Sequence, residues 1–295
     1  MIVMKLSFLI KYVALARKLY KKIFEKIIPD QFPKLTSKSV IKKGRKTPEF
    51  NKIDDFKALF WTNIAKRTKS LSLCYSTNLP VNAPQIAVEM LSRGYGRIDN
   101  YLTETEQEIV RKSITNKISR SDKDHLSEWA RADEKIEQLI QVKLNELTNF
   151  FFNKSVQARG LYHYERSLSG NLKPQDTDPH VVDWHADRYI PFIKAIYFPY
   201  GCDWLPYEIV EISPYEYFQK VSKREIKTFH EKLPSQLSKN KIYQSYVPPN
   251  TLITSFNMIF HRRGKYSSPG ERTAVFLDWT NEFNYIDLIK ESLLK

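Results

Sequence analysis

Helical and strand periodicities occupy different halves of this chain. Residues 161–166, 192–198, 207–212, 251–260 and 273–279 are short apolar or alternating runs rich in β-branched and aromatic side chains, the pattern of strands. Upstream, residues 85–93 have helical spacing, residues 94–98 read as a short strand, and residues 103–117 read as a helix opened by the capping box Thr103-x-x-Glu106. Residues 126–152 read as a second, longer helical region. Helices first and strands afterwards predict an α+β domain, a sheet-built core with supporting helices. Residues 220–241, polar and Lys-rich, read as an insertion between strands with the character of a lid.

The formal net charge of +14 is unevenly placed. Residues 1–70 hold 18 Lys/Arg against 5 Asp/Glu, and the remaining 225 residues hold 29 against 28. The basicity therefore belongs to the N-terminal segment and does not point the rest of the chain toward nucleic acid. Ile2, Leu6, Leu9, Val13, Ala16, Tyr20, Ile23, Phe24 and Ile27 fall on one face of a predicted helix over residues 1–28, with Lys11, Lys18, Lys21, Lys22 and Lys26 opposite and Pro29 ending the run. Such a basic amphipathic helix either lies in an anionic membrane surface or packs on the chain's own core; the further run through Lys42, Lys43, Arg45, Lys46, Lys66, Arg67 and Lys69 favours the surface. Lys5, Lys11, Arg17 and Lys18 exclude a membrane-crossing helix and leave too short an apolar stretch for a signal peptide. Residues 29–48 read as a linker, so the expected division is a basic extension over 1–80 and a functional domain over 81–295. The two cysteines, Cys74 and Cys202, form no Cys-x-x-Cys pair, which points to a reducing, cytoplasmic setting, and residues 1–28 add the expectation of peripheral membrane contact. No Gly-rich phosphate-binding motif is present.

The chemistry is concentrated in Asp183-Trp184-His185-Ala186-Asp187. Residues i and i+2 of an extended segment face the same side, so His185 and Asp187 can grip one metal ion together. His261 follows Asp187 by 74 residues and closes a strand-like run, so a different strand can supply a third ligand. Two imidazoles and one carboxylate on one face leave coordination sites open, the arrangement of non-haem Fe(II) oxygenases. Arg272, 11 residues beyond His261, heads the next strand, where a fixed guanidinium can clamp a carboxylate. His125, His163, His180 and His230 lack this context, and His180 with Asp183 ranks far behind as an alternative ligand pair. Trp184, Tyr189, Tyr197 and Trp204 either line a pocket or fill the core. Lys194, Arg262 and Arg263 either hold an anionic substrate or face solvent.

Residues 85–281 resemble the phytanoyl-CoA dioxygenase-like branch of the Fe(II)/2-oxoglutarate oxygenases. The resemblance rests on Met90 through Gly94-Tyr95-Gly96 to Leu102, Trp184-His185-Ala186-Asp187, Leu205-Pro206-Tyr207-Glu208-Ile209-Val210, and Pro249-Asn250-Thr251-Leu252 through His261-Arg262-Arg263-Gly264 to Pro269-Gly270-Glu271-Arg272. It implies a double-stranded β-helix, or jelly roll, in which His185, Asp187 and His261 bind iron, 2-oxoglutarate chelates the metal, Arg272 pairs with its distal carboxylate, and O2 takes the remaining site. It further implies oxidative decarboxylation of the cosubstrate coupled to hydroxylation of a small-molecule, lipid or sugar substrate. Three positions depart from relatives of this class. Ala274 stands where some carry Ser or Thr, Asp187 is present where halogenating relatives lack the carboxylate, and Asp278 replaces the second Arg of nucleic-acid demethylases. Prolyl hydroxylases have Lys where Arg272 stands. The other class of function compatible with these residues is a non-enzymatic, cupin-like jelly roll that binds sugar or nucleic acid.

Overall fold

A computed structural model describes residues 69–74, 76, 80–118, 125–152, 158–169, 182–187, 192–226, 228–264 and 268–279. The predicted amphipathic helix and linker, His180 and Tyr189 lie outside the described residues. The helices are α1 (Lys69–Cys74), α2 (Gln85–Arg93), α3 (Glu104–Lys117), α4 (Glu134–Lys143), α5 (Asn145–Phe151), α6 (Pro214–Lys220) and α7 (Lys223–Ile226). The strands are β1 (Tyr95–Ile98), β2 (His125–Arg131), β3 (Arg159–Ser167), β4 (Ile193–Phe198), β5 (Tyr207–Val210), β6 (Ile242–Gln244), β7 (Thr251–Phe256), β8 (His261–Arg263) and β9 (Gly270–Trp279).

The strands form two antiparallel sheets, one in the order β1-β7-β4-β9-β3-β2 and one in the order β6-β5-β8. Isolated bridges from His185 to His261 and from Trp184 to His230 extend the smaller sheet beyond β8. From β3 onward the chain crosses repeatedly between them: β3 in the large sheet, Trp184 and His185 on the small one, then β4 large, β5 and β6 small, β7 large, β8 small and β9 large.

Cross-strand register sorts the side chains of the large sheet into two faces with different chemistry. On one face Trp129, His163 and Ala274 form a row, Glu165 lies opposite Arg272, Leu161 and Ile196 flank Phe276, and Asp278 and Ser255 flank Lys194. The other face, with Tyr162, Tyr164, Tyr197, Leu252, Phe256, Val275 and Leu277, is fully buried. Helices cover that second face. The Tyr162 hydroxyl meets Ser113 Oγ of α3 at 2.6 Å, and Phe151 of α5 packs edge-on against Phe256 at 5.3 Å. Burial on this scale stabilises by roughly 1.5–3 kcal/mol for each large apolar side chain. The stabilising core thus sits between sheet and helices, which frees the charged face for another purpose.

Local signals set the element ends. Thr103 caps α3, its Oγ1 accepting from Glu106 N at 3.4 Å while Glu106 Oε2 accepts from Thr103 N at 2.8 Å. Gly94 ends α2 at φ 89°, where a Cβ would lie 2.6 Å from Ile259 Cδ1, so only glycine lets α2 turn directly into β1. Asn250, also left-handed at φ 64°, accepts from Leu102 N at 2.8 Å and Tyr197 Oη at 3.0 Å and donates to Leu102 O at 2.8 Å, pinning the start of β7 to the turn before α3.

Two expectations need correction. Residues 126–131 are not the start of a helix but most of β2, paired with β3 along its length, and helix begins only at Glu134. The apolar residues there, Leu126, Trp129 and Ala130, keep helical spacing, and the open edge of β3, remote in sequence, decides the outcome. The run over 251–260 is likewise not one strand: β7 stops at Phe256, and residues 257–260 turn the chain into β8 on the other sheet.

Candidate metal centre

The bridge between the Trp184–His185 segment and β8 places the two histidines side by side. His185 N donates to His261 O at 3.1 Å, His261 N donates to His185 O at 2.9 Å, and Asp187 N donates to Asn257 O at 2.8 Å. These backbone bonds fix three side chains from two distant stretches of sequence. His185 Nε2 lies 3.5 Å from Asp187 Oδ1, His261 Nε2 lies 3.4 Å from Asp187 Oδ2, and the three potential ligand atoms all fall within 4.8 Å of one another.

Each imidazole is oriented by its other nitrogen. His185 Nδ1 lies 2.8 Å from Asp183 O, and His261 Nδ1 lies 2.8 Å from Ile259 O. A carbonyl only accepts, so each Nδ1 carries a proton, and in the neutral ring Nε2 is the nitrogen with the lone pair. That is the tautomer a metal requires, and a backbone carbonyl holding the far ring nitrogen is a recurrent support for metal-bound histidine.

Lys194 reaches the same point from β4. Its Nζ is 2.5 Å from Asp187 Oδ2 and 3.3 Å from His261 Nε2. Burial disfavours charge on both Lys194 and Asp187, but their mutual attraction prevails: the lysine is raised and the carboxyl is held well below the usual carboxylate range, with His261 adding to the second effect. Burial, then the Lys194 charge, pushes His261 down to about 4. At neutral pH the group is an ammonium, a carboxylate and a neutral imidazole.

A cavity of about 510 Å³ opens between the sheets and brings His185, Asp187, His261 and Arg272 to one wall system, together with His163, Lys194, Tyr207, Trp129 and Phe276. Arg272 is buried and tightly held. Its Nη1 donates to Leu205 O at 2.8 Å, its Nη2 donates to His163 Nδ1 at 3.2 Å, and Glu165 Oε2 lies 3.6 Å away. Leu205 has φ 50°, a left-handed conformation uncommon for its residue type, next to the carbonyl it presents to Arg272. Glu165, fully buried, also pairs with Arg263 from β8. One carboxylate therefore serves two guanidiniums, and both arginines line the cavity.

Several side chains the sequence pointed to stand elsewhere. Trp184 is buried beneath the Arg262 guanidinium at 4.5 Å, Tyr197 points into the helix-backed face, and Trp204 donates from Nε1 to Ser268 O at 2.8 Å. Arg262 and Arg263 do line the cavity, Arg262 paired with Glu208 at 2.7 Å and Arg263 buried against Glu165, so neither is a solvated charge. Residues 220–241 do border the site: Phe229 lies 5.6 Å from the His185 ring, and His230 exchanges backbone bonds with Trp184. Spacing gave no hint of His163, Glu165 or Trp129. What unites them is their register with β9, and only the matching parity of His163 and Glu165 along one strand was visible beforehand.

No family model matches the chain, and no curated protein matches it. Among solved structures it is similar to HygX from Streptomyces hygroscopicus with nickel, 2-oxoglutarate and hygromycin B bound, at 11% identity and TM-score 0.44 over 68% of this chain and 88% of that one. It is also similar to SnoK, a non-haem α-ketoglutarate-dependent carbocyclase of nogalamycin biosynthesis, at 12% identity and TM-score 0.48 over 67% and 84%. A third is EctD from S. alaskensis in its apoform, at 13% identity and TM-score 0.47 over 70% and 81%. Likeness at this level assigns nothing to this chain, whose chemistry rests on its own residues.

Proposed function

We propose that this protein is an Fe(II)/2-oxoglutarate-dependent oxygenase built on a double-stranded β-helix and acting on a small organic substrate. The observation that carries this reading is the pairing, in one cavity, of a His-Asp-His donor set with two buried arginines, Arg263 and Arg272, that share the Glu165 carboxylate. The alternation of strands between two antiparallel sheets supports the fold assignment.

The donors suit iron: two imidazoles with Nε2 free to coordinate and one carboxylate, arranged as a face that leaves positions open. Iron bound there with 2-oxoglutarate and O2 supplies the oxidising chemistry. His185, Asp187 and His261 hold the metal, and Arg272, fixed by His163, Glu165 and the Leu205 carbonyl, offers the positive charge that a distal carboxylate needs. Trp129, 52% exposed at the cavity and stacked on His163 at 4.0 Å, offers an open aromatic surface on which a sugar or planar ring can rest.

Fe(II)-dependent conversion of 2-oxoglutarate to succinate by the purified protein is the expected activity, stimulated by the true substrate in a screen of glycosides, lipids and aromatic metabolites. No succinate above a His261→Ala control under any condition contradicts the reading. The charge of residues 1–70, with 18 basic against 5 acidic side chains, supports a seat at an anionic membrane surface. Equal binding to anionic vesicles by full-length protein and by protein lacking residues 1–30 contradicts that part.

A further inference from the structure

Lys194 occupies a position that the ligand set alone does not explain. It projects from β4 on the charged face of the large sheet, its side chain is only 13% exposed, and its ammonium touches two of the three metal donors, Asp187 Oδ2 at 2.5 Å and His261 Nε2 at 3.3 Å. A divalent cation and the ammonium cannot share those donor atoms, because like charges a few ångströms apart in a sheltered cavity repel strongly. Metal entry therefore requires Lys194 to withdraw. Asp278 on β9 and Ser255 on β7 flank it in the sheet, and Asp278 and Tyr207, whose hydroxyl lies 3.1 Å from Ser255 Oγ, line the same cavity.

We propose that Lys194 couples metal binding to anion binding: it opposes a bare divalent ion and, once displaced, pairs with a carboxylate that arrives beside the metal. The centre then takes up metal and keto acid together rather than metal first. Coupling of this kind is reciprocal, so 2-oxoglutarate tightens the metal by the same factor as the metal tightens 2-oxoglutarate. The inference rests on the metal reading above, since it concerns the same donors.

Nickel titrations of the full-length protein, with and without saturating 2-oxoglutarate, test it without turnover. Wild type is expected to bind Ni²⁺ at least tenfold more tightly when 2-oxoglutarate is present. In Lys194→Met, Ni²⁺ alone is expected to bind at least tenfold more tightly than in wild type, and the effect of 2-oxoglutarate is expected to shrink by a similar factor. Lys194→Gln should behave like Lys194→Met, and Lys194→Arg should retain the opposition to bare metal. Unchanged Ni²⁺ affinity and unchanged coupling in both neutral variants overturns the role of Lys194 while leaving the metal centre intact. Failure of wild type and both neutral variants to bind Ni²⁺ overturns the metal reading itself, and Lys194 with it.

Discussion

Arg272 donates from Nη2 to Nδ1 of His163 at 3.2 Å, and this contact fixes His163 as a neutral acceptor. The opposite ring nitrogen lies 3.2 Å from Ser127 Oγ, which can accept its proton, and Trp129 stacks on the ring face with planes 17° apart. Hydrogen bonds and stacking together leave the imidazole one orientation, and through it the guanidinium is aimed. His163 is thus a positioning residue for Arg272.

His163→Leu removes the acceptor and keeps the volume. A hydrogen bond to a charged group contributes about 1.5–3 kcal/mol, so 2-oxoglutarate affinity is expected to fall at least tenfold. Ni²⁺ binding in the absence of 2-oxoglutarate should stay near wild type, because His163 does not touch the metal donors. Calorimetry on both ligands checks the split.

The same residue gives the metal-free protein a pH dependence. Burial, with Arg272 and Arg263 adding to it, holds His163 well below its ordinary 6.5, and His261 is pushed down to about 4. Above pH 6.5 these imidazoles are neutral in both folded and unfolded chains, and stability is at its plateau. As pH falls from about 6.5 toward about 4 the unfolded chain takes up protons that the folded chain refuses, so stability declines across that window. Urea midpoints measured in chelator should show the decline, and His163→Gln should flatten it without removing it.

Glu165 pairs with both Arg263 and Arg272. Glu165→Gln leaves two buried guanidiniums facing a neutral amide, and breaking a buried pair in this way costs about 3–5 kcal/mol. The double variant Glu165→Gln with Arg263→Met removes one of the two charges and is expected to recover part of that loss. Denaturant unfolding of the two proteins provides the comparison, and equal stability would show that the trio is not held by charge balance.

What could be read from the chain beforehand follows from how local each signal is. His185 and Asp187 were legible because strand alternation acts over two residues, and Thr103 with Glu106 because a cap acts over one turn. Placing Trp129 and His163 in the cavity and Glu165 beside Arg272 needs the β2–β3–β9 register, and placing Lys194 against Asp187 needs β4 of the large sheet to face the segment bridged to β8 in the small one. No window of sequence contains those pairings. The same limit explains β2, where the spacing allowed a helix and an unpaired edge of β3 chose a strand. Ala274, where some relatives of the class carry Ser or Thr, shares its row with His163, and His163 makes the contact to the Arg272 guanidinium.

The central claim is that one cavity binds iron and 2-oxoglutarate together. Anaerobic addition of Fe(II) and 2-oxoglutarate to purified protein, followed by visible absorption, tests it directly. The account expects the weak metal-to-ligand charge-transfer band of the chelate in wild type, no band in His185→Ala, and in Arg272→Gln a band that appears only at higher 2-oxoglutarate. Absence of the band in wild type, or an unchanged band in His185→Ala, would contradict it.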